Sequence, residues 1–303
     1  MKKWIGFVGA GLLLFAVPFL LQDDDKKEIV DKEAAACEVL ITVEGVDEPL
    51  ALEEYVKGVI AAEMPIRFEM EALKAQAIAA RTYAVKSTNY GASKIEASTR
   101  RQVFKSADER AISWKDEATA YEKKLKQAVE ETAGEVLVYD NELITAMFHA
   151  SSNGQTESSE NYGGSDVPYL KSVDSPEKLV QVQSFKLAEL NRLLGVNWKA
   201  ADWQAIGQRL ERNNSGRVST VSYGNFKWTG REFRTLLGLR STAFEVTVDS
   251  DSGTVHFTVA GYGHGVGMSQ EGANVLAQDG LPAEEILLHY YEGVAVEQLE
   301  CAN

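Results

Sequence analysis

FEVTVDSDSGTVHFTVAG, residues 244–261, decides the fold class. Apolar and polar residues alternate on both sides of a break, and Ser252-Gly253 sits in the break, which is the pattern of two antiparallel strands joined by a tight turn. Upstream, EVLVYDNELITAMFHA (135–150) reads the same way, with Asp140-Asn141 at the turn. Further strands are expected at 38–44, 217–223 and 294–299. Between them lie stretches with helical periodicity: 50–63, Phe68 to Tyr90 with a stop at Gly91, Lys115 to Thr132, two short helices near 185–194 and 201–210, and one after Pro282. Helices and antiparallel hairpins alternate irregularly and no repeat is visible, so the expected class is α+β, a single mixed domain.

The N-terminus has a different character. Trp4 to Leu21 is an uncharged run of 18 residues. As a helix it would span ~27 Å, close to the apolar thickness of a bilayer. Lys2 and Lys3 precede it and Asp23 to Asp25 follow, which keeps the N-terminus cytoplasmic and the rest outside. The run ends FLLQDDD with no A-x-A cleavage pattern, favouring a retained anchor over a signal peptide. The expected organisation is an anchor at 1–22, a charged tether at 23–36 and an extracytoplasmic domain at 37–303.

The chain has 303 residues, 31 Lys plus Arg against 45 Asp plus Glu, and a net charge of −14. The anchor is basic, so −13 of this falls on residues 37–303. A cation deficit of this size argues against nucleic-acid binding. The four histidines, at 149, 256, 264 and 289, lack the H-x-H and H-E-x-x-H spacings, so no metal site is expected. The two cysteines, Cys37 and Cys301, bracket the domain, and either a disulfide or two free thiols fits.

Four segments are candidates for chemistry. In YVKGVIAAEMP (55–65), Val56, Val59, Ile60 and Glu63 share one helix face. Glu63 thus sits on an apolar face in the last turn, where desolvation and the negative helix end both raise a carboxyl pKa, as a general acid requires. A buried structural glutamate paired with a cation fits the same pattern. The next helix carries Lys74 and Arg81 on one face among alanines, which suggests partly buried cations able to hold a carboxylate or carbonyls. FHASSNGQTESSENYGG (148–164) is a polar loop offering His149 and Ser152 to a hydroxyl-rich or amide-rich ligand. GYGHGVGMSQEGA (261–273) fails the dinucleotide fingerprint, and its glycines allow close backbone approach, with Tyr262 and His264 projecting on one side of an extended segment.

Taken in order, YVKGVIAAEMP, EALKAQAIAARTYA, FHASSNGQTE, PYLKSV (168–173), GLRSTAF (238–244), GYGHGVGMSQEGA and EILLHYY (285–291) make the chain resemble the stage II sporulation protein D family, the SpoIID/LytB domain. The resemblance runs from about residue 50 to 291. It implies a lytic transglycosylase that cleaves peptidoglycan glycan strands during endospore engulfment, needing no cofactor, with Glu63 as the acid/base. It implies that Lys74 and Arg81 face the ligand, that His149, Ser152, Tyr262 and His264 surround the groove, and that Gln102, in RQVF, is a further binding candidate. Phe104 and Glu271 depart from the family pattern, which has tyrosine at both places. Implied partners are a cell-wall amidase and a multi-spanning membrane protein of the engulfment machinery, at the sporulation septum or mother-cell membrane. Some relatives look like enhancers of amidases, so a non-catalytic peptidoglycan-binding role is the alternative.

Overall fold

The computed structural model describes residues 39–98 and 101–300, all within the unit that runs from Cys37 to Asn303. The expected anchor and tether and both cysteines lie outside the described residues. Among the described residues, no helix is long and apolar enough to cross a membrane.

The chain enters through two short antiparallel strands, β1 (Leu40–Ile41) and β2 (Leu50–Ala51). The strand expected at 38–44 is this short because, beyond Ile41, only Val43 pairs again, in an isolated bridge to Ile95. Two helices follow, α1 (Leu52–Glu63) and α2 (Met70–Thr88). Met64 is extended and Pro65 follows it, which ends α1. The alanines of α2 explain its position. Ala77, Ala80 and Ala84 pack into the core that α1 lines with Tyr55, Val56, Val59 and Ile60. Ala72, Ala75 and Ala79 pack into a second core with Ile144, Ile286 and Tyr290. A helix this slim can be buried on both sides, so α2 is the shared wall of two cores. Next come α3 (Ala107–Trp114), started by a Ser106/Glu109 capping box, and, after a 3₁₀ turn, α4 (Ala118–Glu130).

β3 (Glu135–Tyr139) and β4 (Glu142–Leu143) form the expected hairpin. Asp140 and Asn141 both have positive φ, 50° and 62°, as a two-residue turn of this hand requires. The second arm stops at Leu143 instead of reaching 150, and β5 (Phe148–His149) pairs elsewhere. After α5 (Ser159–Gly163), residues 180–260 make a layer of their own. It contains β6 (Val180–Lys186), α6 (Leu187–Leu194), α7 (Ala200–Gly207), β7 (Glu211–Arg212), β8 (Val218–Tyr223), β9 (Phe226–Thr229), α8 (Gly230–Leu237), β10 (Ala243–Asp249) and β11 (Thr254–Ala260). β10 and β11 are the hairpin of 244–261, and β6 adds to its far edge, antiparallel to β11. A third core of Trp203, Phe233, Phe244 and Phe257 holds this layer.

The chain then returns. β12 (Met268–Ser269) pairs in parallel with β5, α9 (Gln270–Gln278) and α10 (Ala283–Tyr290) pack on α2, and β13 (Ala295–Gln298) closes antiparallel on β3. The architecture is a mixed α+β fold with antiparallel sheets and several helices.

Candidate active site

Glu63 ends α1, half-buried, on the apolar face that the spacing predicts. Burial pushes its carboxyl above the ordinary glutamate range, and the Val103 amide, donating to Oε1 at 2.7 Å, opposes that shift without cancelling it. Among the described residues, the partner of Glu63 is therefore a backbone amide and not a cation. That amide is placed by a clamp. Tyr55 Oη donates to Gln102 Oε1 at 2.9 Å, and Gln102 Nε2 donates to the Ala80 carbonyl at 3.2 Å. The Phe104 ring stacks on Tyr55 at 5.6 Å, and the Lys105 amide donates to the Gly58 carbonyl at 3.1 Å. Gly58 is required here, because a Cβ at that position would lie 2.1 Å from Phe104 Cε2. Gln102 is fully buried with both ends of its amide engaged, so it holds the segment over Glu63. Phe104 supplies the ring stack without needing a hydroxyl.

Arg81 and Lys74 are both engaged by carboxylates of the chain itself. Arg81 is 0% exposed. Its Nε and Nη2 fork onto the two oxygens of Glu53 at 2.9 and 2.6 Å, and Nη1 donates to the Glu135 carbonyl at 3.0 Å. Glu53 opens α1 and Glu63 closes it, which separates Arg81's partner from Glu63 by about 15 Å along the helix. Arg81 therefore ties α1, α2 and β3 together. Lys74 lies between Glu71 at 2.9 Å and Glu131 at 2.6 Å. The burial expected from the alanine context is found, and the carboxylates that occupy the two cations come from the first turns of α1 and α2 and from the residue that caps α4.

His149, Ser152 and His264 do come together. His149 Nδ1 faces the Val266 carbonyl at 3.3 Å, which can only accept, so Nε2 is the acceptor of the Ser152 hydroxyl at 2.8 Å. Burial holds the His149 imidazole well below its ordinary pKa, with His264 and Arg217 adding to the effect. The His264 ring is 5.7 Å away, pushed down to about 4 by burial and then by the charge of Arg234. Both rings are neutral near neutral pH. Ser152 is fully buried, and its amide donates to Glu177 Oε1 at 2.5 Å. Glu177 also accepts the hydroxyls of Ser175 and Ser269. Tyr262 stands apart, 45% exposed under the Arg240 guanidinium. The segment is not extended: Gly261, Gly263, Gly265 and Gly267 all have positive φ, and the chain curls so that His264 turns inward.

The two groups sit on neighbouring elements. Phe148, beside His149, packs on the core that α1 lines. Beyond Glu63, the Glu69 amide donates to Asn274 of α9 at 2.8 Å, and the Glu271 amide donates to the Ala150 carbonyl at 3.0 Å. Burial raises the carboxyl of Glu271, against the charge of Arg67.

A cavity of about 820 Å³ opens beside His264, bounded also by Glu157, Tyr162, Trp228, Arg231 and Arg234. Glu63 does not line it. Sequence reading missed this place because it missed α8. The signal was present: Thr229 and Glu232 form a capping box, the T-x-x-E spacing that opens a helix. Glu177 carried no such signal, since its partners come from three separate segments. Among the described residues, no group of three His, Cys, Asp or Glu side chains could hold a metal ion.

Comparison with known proteins gives the context. Residues 44–139 match the family model described as Stage II sporulation protein. The chain is 40% identical over 265 residues to Stage II sporulation protein D of Bacillus amyloliquefaciens, spanning 84% of this chain and 76% of that one. It is likewise 40% identical over 268 residues to Stage II sporulation protein D of Bacillus subtilis (strain 168), with the same coverage of 84% and 76%. A protein of Bacillus subtilis (strain 168) named Amidase enhancer is 32% identical over 297 residues, spanning 79% of this chain and 40% of that relative. On the identity and coverage of its relatives, the chain belongs to the stage II sporulation protein D family, with a role in sporulation.

Proposed function

We propose that the protein is a lytic transglycosylase cleaving the bond between N-acetylmuramic acid and N-acetylglucosamine in peptidoglycan glycan strands during engulfment. The observation that carries this reading is the state of Glu63, a half-buried carboxyl with a raised pKa whose partner among the described residues is one backbone amide. A glycosidase that uses water needs two carboxyl groups flanking the bond. A transglycosylase needs one, because the substrate supplies the nucleophile. Glu63 gives its proton to the glycosidic oxygen as the bond from muramic C1 breaks. The muramic C6 hydroxyl then attacks C1, and its proton returns to Glu63 as the 1,6-anhydro ring closes. Burial favours the acid form at the start, and the Val103 amide supports the carboxylate formed midway, so one residue serves both half-steps.

An anchor at residues 1–22 would hold the domain outside the mother-cell membrane at the septum. There an amidase and a multi-spanning membrane protein of the engulfment machinery are the proposed partners. Incubated with glycan strands, the protein is expected to leave 1,6-anhydro ends by mass spectrometry, and Glu63→Gln none; reducing ends would mean hydrolysis. The relative named Amidase enhancer and the ion-paired state of Lys74 and Arg81 favour one other reading, a glycan-binding enhancer. That reading predicts unchanged strands with the protein alone and faster peptide release with an added amidase.

A further inference from the structure

Arg217 precedes β8 and is 1% exposed. Among the described residues, none of its three guanidinium nitrogens has a hydrogen-bond partner. The carboxylate nearest to it, Glu157, is 4.0 Å from Nε. That carboxylate is engaged elsewhere: Oε2 accepts Asn213 Nδ2 at 2.7 Å, and Oε1 accepts the Ser158 amide and Asn161 Nδ2, both at 3.0 Å. A guanidinium has five donors, and leaving them buried and unmet is costly. Burial accordingly pushes the Arg217 pKa down to about 10. The place is built for it, since a Cβ on Gly265 would lie 2.5 Å from Arg217 Cζ.

This group sits behind the wall of the cavity beside His264, whose lining includes its neighbours Glu157, Asn213 and Val218. Two guanidinium groups line the cavity itself. Arg231 covers the Tyr162 ring at 4.1 Å and donates to the Tyr162 carbonyl at 2.7 Å. Arg234 donates through Nε to the Leu239 carbonyl at 3.1 Å, and burial pushes its pKa down. The opposing charges are Glu157 and Glu232, and Glu232 is engaged in the α8 cap by the Thr229 amide and hydroxyl. Trp228 adds a flat apolar wall and Asn161, Asn213 and Thr242 add amides and a hydroxyl, the mixture that suits a pyranose ring. In a chain of net charge −14, three arginines here are a local surplus of cations.

We propose that this cavity is a binding site for a carboxylate-bearing unit of the glycan strand, with Arg234 meeting the carboxylate and Arg217 supplying the buried charge behind it. The proposal rests on the reading of glycan strands as the substrate. The carboxylate is either the lactyl acid of the sugar or the terminal acid of its peptide. Isothermal titration of the full-length Glu63→Gln protein in detergent separates the sources, using N-acetylmuramic acid, N-acetylglucosamine and a short peptide ending in D-alanine. At least one acidic probe is expected to bind about tenfold more tightly than N-acetylglucosamine, and Arg234→Gln should remove that preference. The tighter acidic probe identifies the source. Equal binding of the neutral and acidic probes, or an unchanged preference in Arg234→Gln, overturns the proposal, even where Arg217→Gln fails to fold. Because these titrations read binding in a protein that lacks Glu63, their failure is distinct from a failure to find 1,6-anhydro ends.

Discussion

Gly58→Ala separates the clamp over Glu63 from ordinary helix energetics. Gly58 lies in the middle of α1, where alanine would normally stabilise a helix by about 1 kcal/mol. Here the added methyl would lie 2.1 Å from Phe104 Cε2 and 2.7 Å from the Lys105 carbonyl oxygen. The first contact is a ring stacked on Tyr55 and the second is backbone, so neither gives way easily. Forcing an extra methylene into a packed site costs typically 1–3 kcal/mol, so the expected net effect is a loss of about 1 kcal/mol. Relief comes by lifting the 102–105 segment, which draws the Val103 amide away from Glu63. That amide is what restrains the raised pKa, so the carboxyl pKa rises further and the alkaline limb of the pH–rate profile moves to higher pH. The assays are urea denaturation and anhydro-product formation across pH. A variant more stable than the parent by about 1 kcal/mol, with the alkaline limb unmoved, would refute the clamp.

The state of Glu63 also predicts a pH-dependent stability. A carboxyl raised in the folded state contributes stability at low pH that is lost as pH rises through its folded pKa. Glu63→Gln should therefore match the parent in acid and be the more stable protein at pH 8, as read by thermal denaturation across pH; a constant difference at all pH values would contradict the shift. Arg81→Ala leaves Glu53 with only the Gly134 amide, removes the side-chain donor to the Glu135 carbonyl, and should cost roughly 3 kcal/mol in urea denaturation. Below its unfolding transition the Arg81→Ala protein should bind glycan strands as the parent does, and a selective loss of binding with stability intact would restore Arg81 to the ligand.

The sequence alone determined what is local. Alternation across 244–261 and 135–150, with turn residues at the breaks, specified two antiparallel hairpins. The i, i+3, i+4, i+7 spacing placed Glu63 on the buried face of α1, and burial was enough to set the direction of its pKa. The alanines of α2 announced a helix that packs closely. None of this named a partner. Arg81 and Glu53 are 28 residues apart, Gln102 and Tyr55 are 47 apart, and His149 and Val266 are 117 apart. Whether a buried cation faces a ligand or a carboxylate of the same chain depends on which elements the fold brings beside it, and periodicity fixes only which side of a helix is covered. The tertiary structure therefore decided that Arg81 and Lys74 hold the scaffold, that Gln102 positions the amide over Glu63, and that Arg217 is buried without a hydrogen-bond partner among the described residues, enclosed where the 261–267 segment curls back against β8.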